Sequence, residues 1–168
     1  MSGNIHTDQL LLRLWSPADI EAFAKFYGDE AAARYVGGRM TAERAWRQLA
    51  QYVGHWVLRG YGYWAVEERE TGRLAGCVGL WRSEGWPELE LGYWLVPEMQ
   101  GRGYAVEAGR AARDHAWSVV RPESLVSYIH PENPASMRVA ERLGAKREEL
   151  IELLDYGPHW VYRYPAPL

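Results

Sequence analysis

The stretch that decides the fold is ELGYWLVPEMQGRGYA, residues 90–105. Its first half predicts a strand over 88–96 that ends at Pro97, because proline cannot donate to a sheet ladder. Its second half holds Gly101 and Gly103 and opens a segment whose apolar residues recur at helical spacing. A strand, a glycine loop and a helix are therefore expected in succession, with a helix stripe made of Ala105, Ala108, Ala112, Ala116 and Val119.

The loop QGRGYA, residues 100–105, has the features of an anion-binding site. Two glycines let the backbone approach a ligand and turn its N–H groups inward, and a helix N-terminus adds partial positive charge. Arg102 supplies a further, bidentate donor. A plain tight turn is the alternative reading of a lone Gly-x-Gly. Neither common phosphate loop matches, since no Gly-Lys-Ser/Thr is present and Val106 replaces the third glycine of the dinucleotide-binding fingerprint.

The rest of the chain alternates between strands and helices. Capping signals at Ser16 and Thr41 predict two helices after a first strand over 10–15. The second helix is expected to bury a stripe made of Ala45, Leu49, Tyr52, Val53 and Trp56. The remaining expected elements are strands over 63–68, 73–81, 124–129 and 161–164 and a helix that begins at Asn133. This order predicts an α+β fold, a mostly antiparallel mixed sheet flanked by helices.

Composition excludes several classes of protein. The length of 168 residues suits one domain over 1–168. A single cysteine, Cys77, rules out an internal disulfide and a cysteine-based zinc site, and no histidine pair has metal-ligand spacing, so no metal is expected. The net charge of −3 argues against a DNA-binding protein. No targeting signal or membrane span is recognisable, which predicts a cytoplasmic protein that does not bind membranes.

Three segments, in the right order, resemble one family. The loop 100–105 is similar to the acyl-CoA loop of the GNAT N-acetyltransferases, whose pattern is Gln/Arg-x-x-Gly-x-Gly/Ala. The strand 90–97 resembles the strand before that loop in the RimJ/RimL-like branch. Residues 133–136 (NPAS) and 139–145 (VAERLGA) resemble the Asn-x-x-Ser…Leu-Gly-Ala/Phe segment of the same branch. The likeness runs from Leu10 to about Tyr164, and it implies an enzyme that moves an acetyl group from acetyl-CoA to an amine.

The resemblance implies a cofactor-binding role for named positions. It places the pantetheine arm, in a cleft between splayed central strands, against the backbone of Leu95 and Val96 like an added strand. Asn133 would bind the end of the pantetheine, and Ser136 would lie near the thioester sulfur. The pyrophosphate would be held by the loop, Gln100, Gly101, Arg102, Gly103, Tyr104 and Ala105.

Two groups are expected to move protons. An amine with a pKa near 10 is mostly protonated at neutral pH, so a base is needed, and the resemblance points to Glu90. Glu88, two residues earlier, is a weaker rival on the same predicted face, and a water chain to solvent would replace both. Ala140 stands where many GNAT enzymes have a tyrosine that protonates the leaving thiolate. The RimL-like branch uses a serine instead, which here is Ser136; its ordinary role would be to complete the first turn of its helix, as Asn133 would cap it.

The acceptor site is less well defined by the sequence. The chain has nine Trp and eleven Tyr but only two Phe, which suits a pocket with polar handles or a plain core. The predicted substrate-binding residues are Trp81, Trp86, Trp94 and Tyr35. A protein N-terminus and a small amine both remain open as acceptors, and a homodimer is also left open. Two rival functions are a non-catalytic acyl-CoA-binding or regulatory domain on the same fold and a Trp-rich carbohydrate- or peptide-binding module.

Overall fold

The structure is a computed structural model that describes residues 3–168. Within this range the strands are β1 (Ile5–His6), β2 (Leu10–Arg13), β3 (Tyr63–Glu68), β4 (Leu74–Trp81), β5 (Glu90–Leu95), β6 (Val126–Ile129), β7 (Lys146–Glu152) and β8 (Pro158–Arg163). They form one sheet in the order β1-β2-β3-β4-β5-β6-β8-β7. Every neighbouring pair is antiparallel except β5 and β6, which are parallel. The predicted α+β fold with a mostly antiparallel mixed sheet is confirmed.

Helices cover both faces of the sheet. They are α1 (Ile20–Gly28), α2 (Glu30–Ala33), α3 (Ala42–Arg59), α4 (Tyr104–His115) and α5 (Pro134–Arg142). Two neighbouring residues of β5 show the arrangement, because successive side chains of a strand point to opposite faces. Trp94 stacks on Phe26 of α1, whereas the Tyr93 hydroxyl donates to the carbonyl of Ser136 in α5. Helices α1 and α3 pack together on the first face, and α4 and α5 contact each other on the second.

Local sequence signals account for several helix ends. Ser16 and Asp19 form a reciprocal capping box at the short 3-10 turn before α1. The Thr41 hydroxyl accepts a hydrogen bond from the Arg44 amide at the start of α3, and Gly60 ends that helix with a φ of 76°. Asn133 caps α5 through its side chain. These ends lie where the sequence predicts them.

Other details of the prediction are wrong. Neither β1 nor β7 is predicted from the sequence. β1 has only two residues, and β7 (KREELIE) is charged and almost wholly exposed. Val53 and Val119, assigned to buried helix stripes, are 45% and 63% exposed. The helical stretch after α4 widens to π-type hydrogen bonding over 116–120, which changes the spacing on which the Val119 assignment depended.

The sheet opens between its two parallel strands. β5 and β6 share one backbone pair, Glu90 with Val126, where the Val126 amide donates to the Leu89 carbonyl. One residue later the link is the Ser127 hydroxyl, which donates to the Leu91 carbonyl at 2.6 Å. The remainder of β5 has no backbone partner on β6 in the described chain, so the strands diverge. The expectation of splayed central strands is confirmed.

Cys77 is buried in β4, and burial raises the pKa of its thiol, as expected of a core residue and not of a nucleophile. Across residues 3–168, none of the helices is both long and apolar enough to span a bilayer.

Candidate active site

A cavity of about 490 Å³ lies where β5 and β6 diverge. Its lining includes side chains from both faces of β5, because the gap between the strands is open. Glu90, Gly92 and Trp94 line it on the α3 side, and Leu91, Tyr93, Asn133 and Ser136 line it on the α5 side. The cavity therefore passes through the sheet and connects groups that the two helical layers would otherwise separate.

Glu90 is the carboxylate of this cavity. Its side chain is half-buried, and Trp86 donates its indole N–H to Oε2 at 3.0 Å. Burial raises the pKa of the Glu90 carboxyl to about 7, against the lowering effect of the Trp86 hydrogen bond. A carboxyl with this pKa is well matched to accept a proton near neutral pH.

Glu88, the rival base, lies elsewhere. It precedes β5, does not line the cavity, and is held in a bidentate ion pair by Arg163 at 2.7 and 3.2 Å. The Ser124 hydroxyl also donates to it. These contacts, Arg163 foremost, lower the pKa of Glu88. Glu88 is therefore engaged by Arg163 outside the cavity lining, whereas Glu90 lines the cavity and is the better placed of the two candidate bases.

Asn133 and Ser136 lie at the α5 side of the cavity. The Asn133 Oδ1 accepts a hydrogen bond from the Ser136 amide at 3.2 Å, which caps the helix and leaves the Asn133 amide nitrogen for other partners. The backbone of Ser136 is fixed further by the Tyr93 hydroxyl, 2.9 Å from its carbonyl oxygen. These two residues thus form the cap of α5 and also line the cavity.

The end of β5 offers less free backbone than the sequence suggests. The Val96 amide donates to the Ala75 carbonyl, and the Val96 carbonyl accepts from the Met99 amide. The Val96 amide is therefore occupied and its carbonyl already accepts one hydrogen bond, so Val96 offers less free backbone to a ligand than the resemblance implies. Leu95 alternates with Val96, so its backbone points toward the gap; its carbonyl has one contact, the Gln100 side-chain amide at 3.5 Å.

The glycine loop follows directly after β5. Gly101 and Gly103 have φ values of 76° and 79°, which favour glycine, and α4 begins at Tyr104. Within residues 3–168, the amides of Gly101, Arg102 and Gly103 donate to no protein acceptor. Together with the first amides of α4, including that of Ala105, they form a set of free N–H donors at a helix N-terminus.

A buried carboxylate that sequence reasoning missed lies beneath this loop. Glu68, at the end of β3, is 3% exposed. It accepts hydrogen bonds from Arg102 at 2.9 Å and from the hydroxyls of Tyr104 and Thr71. The Tyr104 hydrogen bond, followed by that of Thr71, lowers the pKa of the Glu68 carboxyl. The side chains of Tyr104 and Arg102 are thus turned toward the protein, and only the backbone of Tyr104 is left for a ligand.

The four predicted aromatic residues all line the cavity. Trp81 stacks between His55, at 4.2 Å, and Tyr63, at 5.5 Å. Trp86 is fixed by its bond to Glu90. Trp94 is mostly a core residue, packed on Phe26 at 3.8 Å, although its buried indole N–H has no hydrogen-bond partner in the described residues. Tyr35 donates its hydroxyl to the Glu132 carbonyl at 2.8 Å.

Tyr63 is a further cavity residue that the sequence did not indicate. Its hydroxyl lies over Gly92, where a Cβ would collide with it. Gly92 thus makes room for Tyr63 between Glu90 and Trp94. Tyr63 of β3 and Gly92 of β5 are brought together because both strands pair with β4, and no local sequence motif predicts that contact.

Among residues 3–168, no three His, Cys, Asp or Glu side chains are grouped in a way that would hold a metal ion.

Residues 9–146 match the family model described as the acetyltransferase (GNAT) domain. The chain belongs to this family of acetyltransferases.

Three known proteins are similar to this chain in sequence or in structure. The chain is 32% identical over 153 residues to the uncharacterized protein YkkB of Bacillus subtilis, covering 86% of each. An acetyltransferase from Agrobacterium tumefaciens has a similar structure, with a TM-score of 0.88 at 34% identity over 96% of this chain and 94% of that one. RimL, a ribosomal alpha-N-protein acetyltransferase in complex with coenzyme A, has a TM-score of 0.77 at 20% identity over 96% of each chain and shows the shared fold. The predicted membership of the GNAT family is confirmed, and the likeness to RimL extends to the fold.

Proposed function

We propose that the protein transfers the acetyl group of acetyl-CoA to the nitrogen of a primary amine by direct attack. One observation carries the proposal: the cavity crosses the sheet and joins Glu90 on one face to Asn133 and Ser136 on the other. A donor substrate that enters from the α5 side and an acceptor that enters from the α3 side would meet in the gap. Coenzyme A bound to RimL, a protein with the same fold, is consistent with this donor.

The donor would lie along β5 with its two ends held by different elements. The free amides from Gly101 to Ala105 suit the pyrophosphate, whose negative charge the helix N-terminus stabilises. The Leu95 backbone is available to the pantetheine arm, and the Asn133 amide nitrogen to its far end. The loop residues are not part of the cavity lining, so an elongated ligand is needed to occupy both places.

The reaction would form a C–N bond and break the thioester C–S bond. Glu90 takes a proton from the attacking amine, for which its pKa of about 7 is suited. The Ser136 hydroxyl donates to the departing thiolate, so that negative charge does not build up unpaired. A water chain from the cavity to solvent is the alternative to Glu90 as the proton acceptor.

Calorimetry with acetyl-CoA and with free CoA tests the donor assignment, and both should bind. A thiol-release assay with a panel of primary amines tests transfer. Binding of acetyl-CoA with no amine-dependent thiol release would instead favour a non-catalytic acyl-CoA-binding domain. Absence of binding by either ligand would contradict the proposal as a whole.

A further inference from the structure

We infer that the acceptor is a small monoamine with an aromatic body, and not a polyamine or the terminus of a folded protein. The inference rests on the proposed function, because it concerns the acceptor end of the same cavity. It is carried by three features of that end: its charges, the aromatic groups beside Glu90, and the contacts that border it.

The charge of the cavity suits one ammonium group. Among the described residues that line it, Glu90 is the only carboxylate and Arg44 the only cationic side chain of Arg or Lys type. A second ammonium of a polyamine would have no carboxylate partner, and the polar residues along α3, Gln48 and Gln51, are uncharged. Burying an unpaired cation is costly, so the cavity discriminates against a dication.

Two indoles flank the carboxylate. Trp81 is the cross-strand partner of Glu90 in the β4–β5 register, so their side chains are neighbours on one face. Trp86 also contacts Glu90, with its indole nitrogen 3.0 Å from the carboxylate. An amine held by Glu90 would therefore lie beside two indole rings. Ring contacts of this kind favour an aromatic body over a purely aliphatic one.

The indoles are held in place before any ligand arrives. His55 stacks on Trp81, while its own ring is fixed by the Tyr61 carbonyl at 2.7 Å and the Arg82 amide at 3.1 Å. Trp86 has edge contacts with Tyr128 and Tyr156 at 6.1 and 5.7 Å. Rigid walls lower the entropy cost of binding and give a small, rigid ligand the advantage.

Side-chain contacts also tie together the segments that border the cavity. Tyr35 joins the α2–α3 connection to the β6–α5 connection through Glu132 and through His130, whose ring is 5.2 Å away. His130 in turn contacts His159 of β8 at 5.8 Å. A polypeptide acceptor would need an open groove beyond its first residue, and these contacts cross that path.

Steady-state kinetics with matched acceptors tests the inference. The acceptors are 2-phenylethylamine, n-butylamine, spermidine and a tetrapeptide with a free amino terminus. We expect kcat/KM for 2-phenylethylamine to exceed that of spermidine and of the tetrapeptide by about tenfold or more, as for one or two lost contacts. Preference for spermidine or for the peptide would overturn the inference and leave the proposed function standing. No turnover of any amine would instead count against the proposed function.

Two variants distinguish recognition of the aromatic ring from a general loss of activity or stability. Trp81→Leu should raise KM for 2-phenylethylamine about tenfold and change KM for n-butylamine less than about twofold, with kcat little changed. Trp46→Leu, the same change at a tryptophan 56% exposed on α3, is the control and should change neither. If Trp81→Leu fails to fold, Tyr156→Ala, at an exposed residue beside Trp86, should show the same selective rise at smaller size. An equal effect on both amines in the folded variant would contradict aromatic recognition.

Discussion

Arg102 and Glu68 form an ion pair at 2.9 Å between the glycine loop and the far end of β3, 34 residues apart in the chain. The Glu68 carboxylate is buried, while Arg102 is half exposed. The same carboxylate oxygen accepts the Tyr104 hydroxyl at the first residue of α4. The loop is therefore anchored from beneath, and its amides keep their direction without any bound ligand.

Glu68→Gln is expected to weaken CoA binding about tenfold, because the anchor loses its charge-assisted hydrogen bonds. Calorimetry should show the loss for CoA and for adenosine 3′-phosphate 5′-diphosphate, the fragment of CoA that carries the pyrophosphate, but not for pantetheine. Glu67→Gln is the matched control. Glu67 directly precedes Glu68 on the strand and is paired with Arg13 on the other face. Its substitution should leave the affinity for CoA unchanged. Equal affinities of the two variants would show that the anchor does not matter to binding.

Glu90→Gln is expected to remove the inflection near pH 7 from the pH profile of the rate. In the wild type the base must be ionised, so kcat/KM should rise with pH through about 7, the pKa of the half-buried carboxyl. The Gln variant should lose about a hundredfold in kcat, as for removal of a general base, and keep only the rise that follows ionisation of the free amine at about pH 10. Glu88→Gln, outside the cavity, should keep the wild-type pH profile. An inflection near pH 7 that survives in Glu90→Gln would assign the proton to a water chain.

Glu90→Gln is also expected to stabilise the fold at high pH relative to the wild type. A carboxyl whose folded pKa lies above its unfolded value of 4.5 favours the folded state in its protonated form. That contribution is complete below about pH 4.5 and is lost as the pH rises through about 7. The Tm of Glu90→Gln minus that of the wild type should therefore be larger at pH 8 than at pH 5. A difference that is constant with pH would contradict the raised pKa.

Ser136→Ala is expected to lower kcat about tenfold with little change in the KM of the amine, since the hydroxyl would act on the leaving thiolate. The helix cap uses the Ser136 amide and not its side chain, so the fold should be retained. Ser83→Ala, a serine at the opposite end of the cavity, is the control and should keep full turnover. Full turnover of Ser136→Ala would remove the assigned role.

Gly103→Asp is expected to abolish measurable CoA binding by placing a carboxylate at the pyrophosphate position. The position also has a φ of 79° that side chains disfavour, so backbone strain must be separated from charge. Gly60→Asp, at a φ of 76° in equally open space at the end of α3, carries the same strain far from the loop. It should bind CoA normally. Retained affinity in Gly103→Asp would show that the pyrophosphate lies elsewhere.

The elements that depend on residues close together in the chain are predictable from the sequence. The strand predicted over 88–96, the loop after it and the capped start of α5 follow from residues close together in the chain, and the family resemblance implies that they form one site. Glu68 was not found, because a carboxylate in an ordinary strand acquires its role only when β3 brings it beneath the loop. Tyr63 over Gly92 and Trp81 beside Glu90 depend in the same way on strand register.

Two further details depend on strand pairing that the sequence does not show. The resemblance implies that the Val96 backbone pairs with the cofactor, whereas its amide donates to the Ala75 carbonyl of β4. Strand β7 was missed because an exposed edge strand needs no alternation of apolar residues, and charged side chains there protect the sheet from edge-to-edge pairing.

Mass spectrometry of the amine product tests the central claim most directly. The protein is incubated with acetyl-CoA that carries an isotopically labelled acetyl group and with 2-phenylethylamine, and free thiol is measured in parallel. Labelled N-acetylated amine should form, with one CoA thiol for each amine acetylated. Tight binding of acetyl-CoA with all of the label still on the thioester, across the whole amine panel, would contradict acetyl transfer to an amine.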